Sequence, residues 1–202
     1  MDSDDHTREN DTQSLLMEAT YHTLCEYGYA EFSLRKVADE AGKSRGLVHY
    51  HYESKNDLLA SLLDSLIERF EARFEDSEGT SAIQRLDNIL DWVAFGPALF
   101  GRDSRDYFMA IFELRAQAPY DEAIRERLTR NYETVRSRVA AVIQAGIDDG
   151  ELVPVDPQST ATFIVVSVDG ARNTDLTLDT DEAVETTLTA IEEFVFESLR
   201  TA

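Results

Sequence analysis

Every lysine in this 202-residue chain lies between Ser33 and Lys55: Lys36, Lys43 and Lys55, with Arg35 and Arg45 beside them. Five basic residues against Asp39, Glu40 and Glu53 give these 23 residues a charge of +2, in a chain whose net charge is −21. The other 179 residues therefore carry −23. A solvated face of so acidic a protein should itself be acidic, so a basic island marks a surface kept for a polyanion. Cations on short helices suit a nucleic-acid backbone, which they hold by charge without reading sequence. Arg45 can in addition donate two bonds to the edge of a guanine.

The elements that must position these side chains are legible around them. Ser33 can N-cap a short helix, because its hydroxyl accepts a free backbone N–H of the first turn. Leu34, Val37, Ala38 and Ala41 follow at i, i+3, i+4 and i+7, one face of a helical period. Gly42 supplies the left-handed stop. Ser44 caps the next helix, Leu47 and Val48 are its apolar pair, and Tyr52 packs below. Ser54 opens a third helix, with Asp57 three residues on as in a capping box. Two short helices across a tight turn make a helix-turn-helix, whose second helix can enter the DNA major groove.

The segment from Gly28 to Lys55 resembles the N-terminal DNA-binding domain of TetR-family transcriptional regulators. The resemblance runs from about Leu15 to Leu63. It rests on Gly28-Tyr29 after the first helix, the Ala41-Gly42 turn and the Ser44-x-Gly46 start of the recognition helix. Tyr50 and Tyr52 around His51, and Ser54-Lys55 at the next helix, complete it. Lys43, Leu47, His49 and Glu53 depart from the usual pattern, which leaves the DNA sequence open rather than the DNA binding. In this frame Ser44, Arg45 and Lys43 read bases, and Gly46 allows close approach because it has no side chain. His49 meets a base edge or a phosphate. The resemblance implies phosphate contacts for Tyr50 and His51. Lys55, with free N–H groups at its helix start, would hold another phosphate, and Ser33 the same at its helix; Arg35 joins this DNA-binding set. His49 and His51 are not a metal pair, since i and i+2 point to different faces of a helix and no Cys, Asp or Glu completes a ligand set nearby.

The fold expected is all-α, with about nine helices. Residues 1–11 form a flexible acidic tail, 12–57 the three-helix DNA-binding domain, and 58–202 a helical effector-binding and dimerisation domain. The first helix spans about Thr12 to Tyr27, burying Leu16, Ala19, Thr20, Thr23, Leu24 and Tyr27, and stops at Gly28. Leu58 to about Glu75 is a long amphipathic helix, followed by a polar break to Thr80. Later helices are marked by Ile83–Val93, Tyr107–Arg115 and Ile124–Ile147. Asp156-Pro157, an N-cap and a first-turn proline, opens an eighth helix. It is apolar nearly all round, so it needs cover on several sides. A ninth spans about Asp181 to Leu199.

The resemblance places an effector pocket among helices 4 to 7 and pairs helices 8 and 9 with their copies in a homodimer. For the pocket, Phe95, Tyr107, Phe108 and Phe112 are the apolar candidates, with Arg115 or Asn173 as polar anchor. For the dimer, Val165, Val168, Val184, Leu188, Ile191 and Val195 are the candidate contacts. The partners expected are double-stranded DNA, a small and largely apolar effector, and a second copy; no cofactor is expected. The function is a repressor released from a palindromic operator by that effector. Two other classes stay open. A ligand-independent DNA-binding factor would have a filled C-terminal core. An all-α enzyme or carrier with a structural helix-turn-helix would need a convergent polar pocket. The sequence shows no Gly-rich phosphate loop, nucleophile elbow or metal-ligand set.

No apolar run approaches the roughly 20 residues of a membrane span. The acidic start, Met1-Asp2-Ser3-Asp4-Asp5, is unlike a signal peptide, so a cytoplasmic setting is expected. A lone cysteine, Cys25, excludes an intramolecular disulfide and reads as a small core or half-buried residue. A pI near 4.4 with three lysines resembles the Lys-poor, acidic surfaces of extreme halophiles.

Overall fold

The structure, a computed structural model, describes residues 3–74 and 80–200, with side chains from residue 12 onward. The helices are α1 (Ser3–Glu31), α2 (Leu34–Glu40), α3 (Arg45–His51), α4 (Lys55–Arg73), α5 (Ala82–Phe95), α6 (Ser104–Gln117), α7 (Glu122–Asp148), α8 (Pro157–Thr177) and α9 (Ala183–Ile191). From α9 the chain runs through a π turn, Glu192–Phe196, into α10 (Glu197–Leu199). The single ninth helix expected is thus interrupted. The extra residue of the π turn shifts the inward position by one, so Phe196 is buried while Phe194 faces out. No described helix is long and apolar enough to cross a membrane.

Local chemistry sets most boundaries. Ser81 and Gln84 form a capping box on α5. Asp103 caps α6, and Asp156 caps α8 by accepting the Ser159 N–H at 2.9 Å. Gly150, with φ 74, ends the turn after α7. α1 begins at Ser3, earlier than expected, so its backbone takes in most of the expected tail. It does not stop at Gly28 but breaks there, at φ 65 and ψ 170, and resumes to Glu31. The polar break lies, except for Thr80, outside the described residues.

The chain packs as two compact units, residues 1–69 with 98–131, and residues 70–97 with 132–202. These units cut across the two functional segments expected from the sequence, because α4 and α7 contribute to both. In the first unit Leu16, Tyr21, Leu24, Val37, Val48 and Leu58 are fully buried. The expected α1 stripe holds except for Tyr27, which is 40% exposed, while Tyr21 takes a core place. In the second unit Phe70, Phe74 and Trp92 cluster, with ring centroids 5.0–6.5 Å apart. Gly146 is required for close packing there: an added Cβ would stand 2.6 Å from the Ala82 Cβ and 2.7 Å from Leu152.

Candidate nucleic-acid interface

Two serine caps and a glycine turn hold the basic island in place. Ser33 Oγ accepts the Lys36 N–H at 3.3 Å and Ser44 Oγ accepts the Leu47 N–H at 3.2 Å. Gly42 turns between the helices at φ 60. Val37, Ala38 and Val48 are buried beneath, so α2 and α3 turn their polar sides outward. Ser54 Oγ accepts the Asp57 N–H, while the Asp57 carboxylate accepts from Glu53 N rather than from the cap residue. The expected capping box is therefore displaced by one residue.

The five cations are not equivalent. Arg35 lies 3.7 Å from Asp39 in a pair that is mostly exposed, and such pairs hold weakly. Lys36 pairs with Glu31 at 3.3 Å and sits 3.8 Å over the Tyr27 ring. Lys55 turns inward: its Nζ donates to the Tyr29 carbonyl at 2.8 Å and lies 3.7 Å over the Tyr29 ring. Burial lowers its pKa. Lys43 and Arg45 are exposed, and no ion pair to either is seen among the described residues. They flank Ser44 at the start of α3, where base edges are read.

Around them, His49 is exposed and Tyr50 is 79% exposed, its ring edge-on to His51 at 5.1 Å. His51 is half-buried between Tyr50 and Tyr52. Gly46 is exposed, and an added Cβ would meet only Ser44 Oγ, at 3.9 Å. Lys43, Ser44, Arg45, Gly46, His49 and Tyr50 thus share one open surface. Lys55 is held off that surface by Tyr29.

Tyr29 is the fixed point behind the reader. Its N–H donates to the Glu113 carboxylate on α6, its carbonyl accepts from Lys55, and its hydroxyl donates to Asn56 Oδ1 at 3.1 Å. Asn56 in turn donates to Asp121 at 2.5 Å, and the same Asp121 caps α7 through the Ile124 N–H. Gly28 makes this possible, since an added Cβ there would stand 3.0 Å from both Glu113 carboxylate oxygens. Gly-Tyr was visible as a motif, but its partners lie 26 to 84 residues away along the chain.

The other candidate sites fare differently. Tyr107 and Phe108 are buried with ring centroids 5.1 Å apart; Phe112 and Arg115 are half-buried on the same helix, α6. Phe95, exposed at the end of α5, and Asn173, half-buried on α8, belong to the other unit. Of the dimer candidates, Val165, Val168, Val184 and Ile191 are buried within the chain itself, Val168 at 0% and Val184 at 9% exposure, so they leave little surface for a partner. Leu188 and Val195 are half-buried. The apolar groups left open are Phe163 at 57%, Val166 at 53% and Phe194 at 74%. α8 is apolar nearly all round, and the chain itself covers Val165 and Val168 while leaving Phe163 and Val166 open.

Cys25 is half-buried, and burial pushes its thiol up to about 11. It is a protonated packing residue, as its place within α1 suggested.

A two-helix reader with a capped recognition helix and open cations at its start defines a helix-turn-helix DNA-binding protein. Residues 16–62 match the profile of bacterial regulatory proteins of the tetR family, and residues 82–199 match that of the C-terminal part of BetI-type transcriptional repressors. The chain belongs to the TetR family of transcriptional regulators, a family of regulators rather than enzymes. It is 39% identical to a TetR transcription regulator from Haloarcula marismortui, over 95% of this chain and 100% of that one, with a TM-score of 0.84. A putative regulator from Saccharomonospora viridis, crystallised with choline, shares the fold at 20% identity and TM-score 0.80, over 96% of this chain and 100% of that one. The HTH-type regulator YfiR of Bacillus subtilis is 26% identical over 85% of this chain and 83% of its own.

Proposed function

We propose that this regulator is a cytoplasmic homodimeric repressor that binds a palindromic operator and is released by a small, largely apolar effector. The observation that carries the reading is the open pair Lys43 and Arg45 on either side of the capped start of α3. A reader this short, with one recognition helix, gains length and affinity by doubling, and a two-fold dimer demands a two-fold site one DNA turn apart. The match to BetI-type repressors supports repression over activation. Phe163, Val166 and Phe194 supply the dimer contacts in place of the buried valines. The aromatic run on α6, Tyr107, Phe108 and Phe112 with Arg115 a turn beyond, supports an apolar effector with one polar or acidic group. The −23 carried outside the reader, and the match to a Haloarcula protein, support a surface suited to concentrated salt.

The test is genome-wide mapping of the binding sites, followed by fluorescence anisotropy on the recovered site. The expected result is a palindrome bound by two chains, with Arg45→Ala weakening binding and relaxing preference at one base position. An asymmetric site saturated by one chain would defeat the dimeric reading. Full binding by Arg45→Ala would defeat the reader.

A further inference from the structure

His22 on α1 has an acceptor at each ring nitrogen. Its Nδ1 lies 3.2 Å from Glu40 Oε1, and its Nε2 lies 2.8 Å from the Phe100 carbonyl oxygen. A carboxylate and a carbonyl can only accept. A neutral imidazole carries one N–H, so it can serve one of them; the imidazolium carries two and serves both. Both contacts can be hydrogen bonds at once only when the ring is doubly protonated.

The two acceptors sit at informative places. Glu40 is the last residue of α2, directly before the Ala41-Gly42 turn that leads to the recognition helix. Phe100 belongs to the loop ahead of α6, closed by backbone bonds between Leu99 and Arg102. Phe100 has a positive φ, 51°, a conformation that persists in a non-glycine residue only where its surroundings impose it. Its ring packs 5.7 Å from Tyr21 and 6.3 Å edge-on to His22, with the Arg69 guanidinium 4.8 Å from its centroid. One histidine thus fastens the end of α2 and this constrained loop to α1.

We propose that His22 is a proton-operated tie between the helix-turn-helix and the loop ahead of α6: the imidazolium holds both Glu40 and Phe100, and the neutral ring holds Phe100 alone. The choice between acceptors follows from burial. The bond to Phe100 is the shorter and the part-buried one, and a carbonyl left without a donor inside the protein costs more than an exposed carboxylate returned to water. Histidine is the side chain whose ordinary charge change falls between about pH 5 and 8, and the tie to α2 closes when the ring takes up its second proton and opens when it loses it. The charged groups around the ring are mixed. Glu18 and Glu26 stand one turn away on α1, and Glu40 faces it from α2. Arg69 from α4 lies against the Phe100 ring, and Arg102 of the loop is paired with Asp106 at 3.3 Å. Asp39, beside Glu40, is turned to Arg35, and Cys25 is neutral. With the tie open, the C-terminal end of α2 keeps its apolar packing but loses a polar contact to α1 beside the turn into the recognition helix.

The proposal rests on the DNA-reading role only for its effect on operator binding; the tie itself is tested without DNA. In the full chain at high salt, the ring signals of His22 are followed by NMR across pH 5 to 8.5, assigned through His22→Gln. Glu40→Ala, which removes an exposed side chain, should lower the titration midpoint of His22. Amide exchange at Ala41–Lys43, corrected for the intrinsic pH dependence, should speed up as pH rises in the wild type and lose that dependence in Glu40→Ala. An unchanged His22 midpoint in Glu40→Ala, or the same corrected exchange profile in both proteins, overturns the tie. If both effects appear while operator affinity is flat with pH in wild type and variant alike, the tie is real and its link to the reader fails.

Discussion

Gly28→Ala is the sharpest test of how the reader is held. Gly28 has φ 65 and ψ 170, a region open in practice only to glycine, and an alanine forced into it costs about 1–3 kcal/mol. The new Cβ would stand 3.0 Å from both Glu113 carboxylate oxygens. Glu113 must then give by a few tenths of an ångström, which loosens its bond from the Tyr29 N–H; the most this can add is the whole of a bond to a charged group, about 1.5–3 kcal/mol. The total, about 1–6 kcal/mol, is set against the roughly 5–15 kcal/mol that holds a domain folded. Gly42→Ala is the control. Gly42 has φ 60 but nothing within 4 Å of its added Cβ, so only the backbone cost applies, about 1–2 kcal/mol. The assay is urea unfolding followed by circular dichroism in molar potassium chloride, at one protein concentration because self-association would couple to folding. Placing Gly28→Ala on a Glu113→Ala background completes the cycle, since there is then no carboxylate to displace. The cost of Gly28→Ala should fall on that background to its backbone part. If it is the same on both backgrounds, Glu113 does not occupy that space and the clamp on Tyr29 is wrong.

Arg45→Ala should weaken operator binding by about 1–3 kcal/mol and relax one base position, read by anisotropy on operator variants. Lys55→Ala should weaken all sequences alike and also lower the urea midpoint, because Lys55 is bonded to Tyr29; a loss of affinity with unchanged stability would return Lys55 to a direct phosphate contact. Phe194→Glu should give folded monomers by light scattering, whereas Val168→Asp should unfold the chain, since Val168 is wholly buried; a folded Val168→Asp dimer would refute this division. Operator affinity should hold or rise as potassium chloride goes from low values towards molar. The screening length falls from about 30 Å at 0.01 M to about 3 Å at 1 M, which removes the long-range repulsion of the −23 outside the reader and of Glu185 and Glu193 beside Phe194. A steep, monotonic loss in protein that stays folded would show that the reader's cations dominate instead.

Much of the reader was legible in the chain because its signals are local. A cap, its N–H three residues on, and a glycine at a left-handed turn fall within one or two helical turns, so Ser33, Gly42 and Ser44 announce α2 and α3 without help from the rest. Charge is equally local: the lysine count alone marks where a polyanion would sit. The helical period likewise placed the cores of α4, α5 and α7. What it could not supply is the identity of the cover. α8 carries apolar residues on two stripes, and spacing cannot say that Val165 and Val168 face their own chain while Phe163 and Val166 face out; the packing of α8 on α5 and α9 decides that. The π turn that points Phe194 outward is likewise absent from any periodic reading, because it breaks the period. Lys55 and Tyr29 make the same point for polar groups. Their charge and motif were visible, yet whether a lysine reaches for a phosphate or for a carbonyl 26 residues back depends on distances that only the folded chain creates.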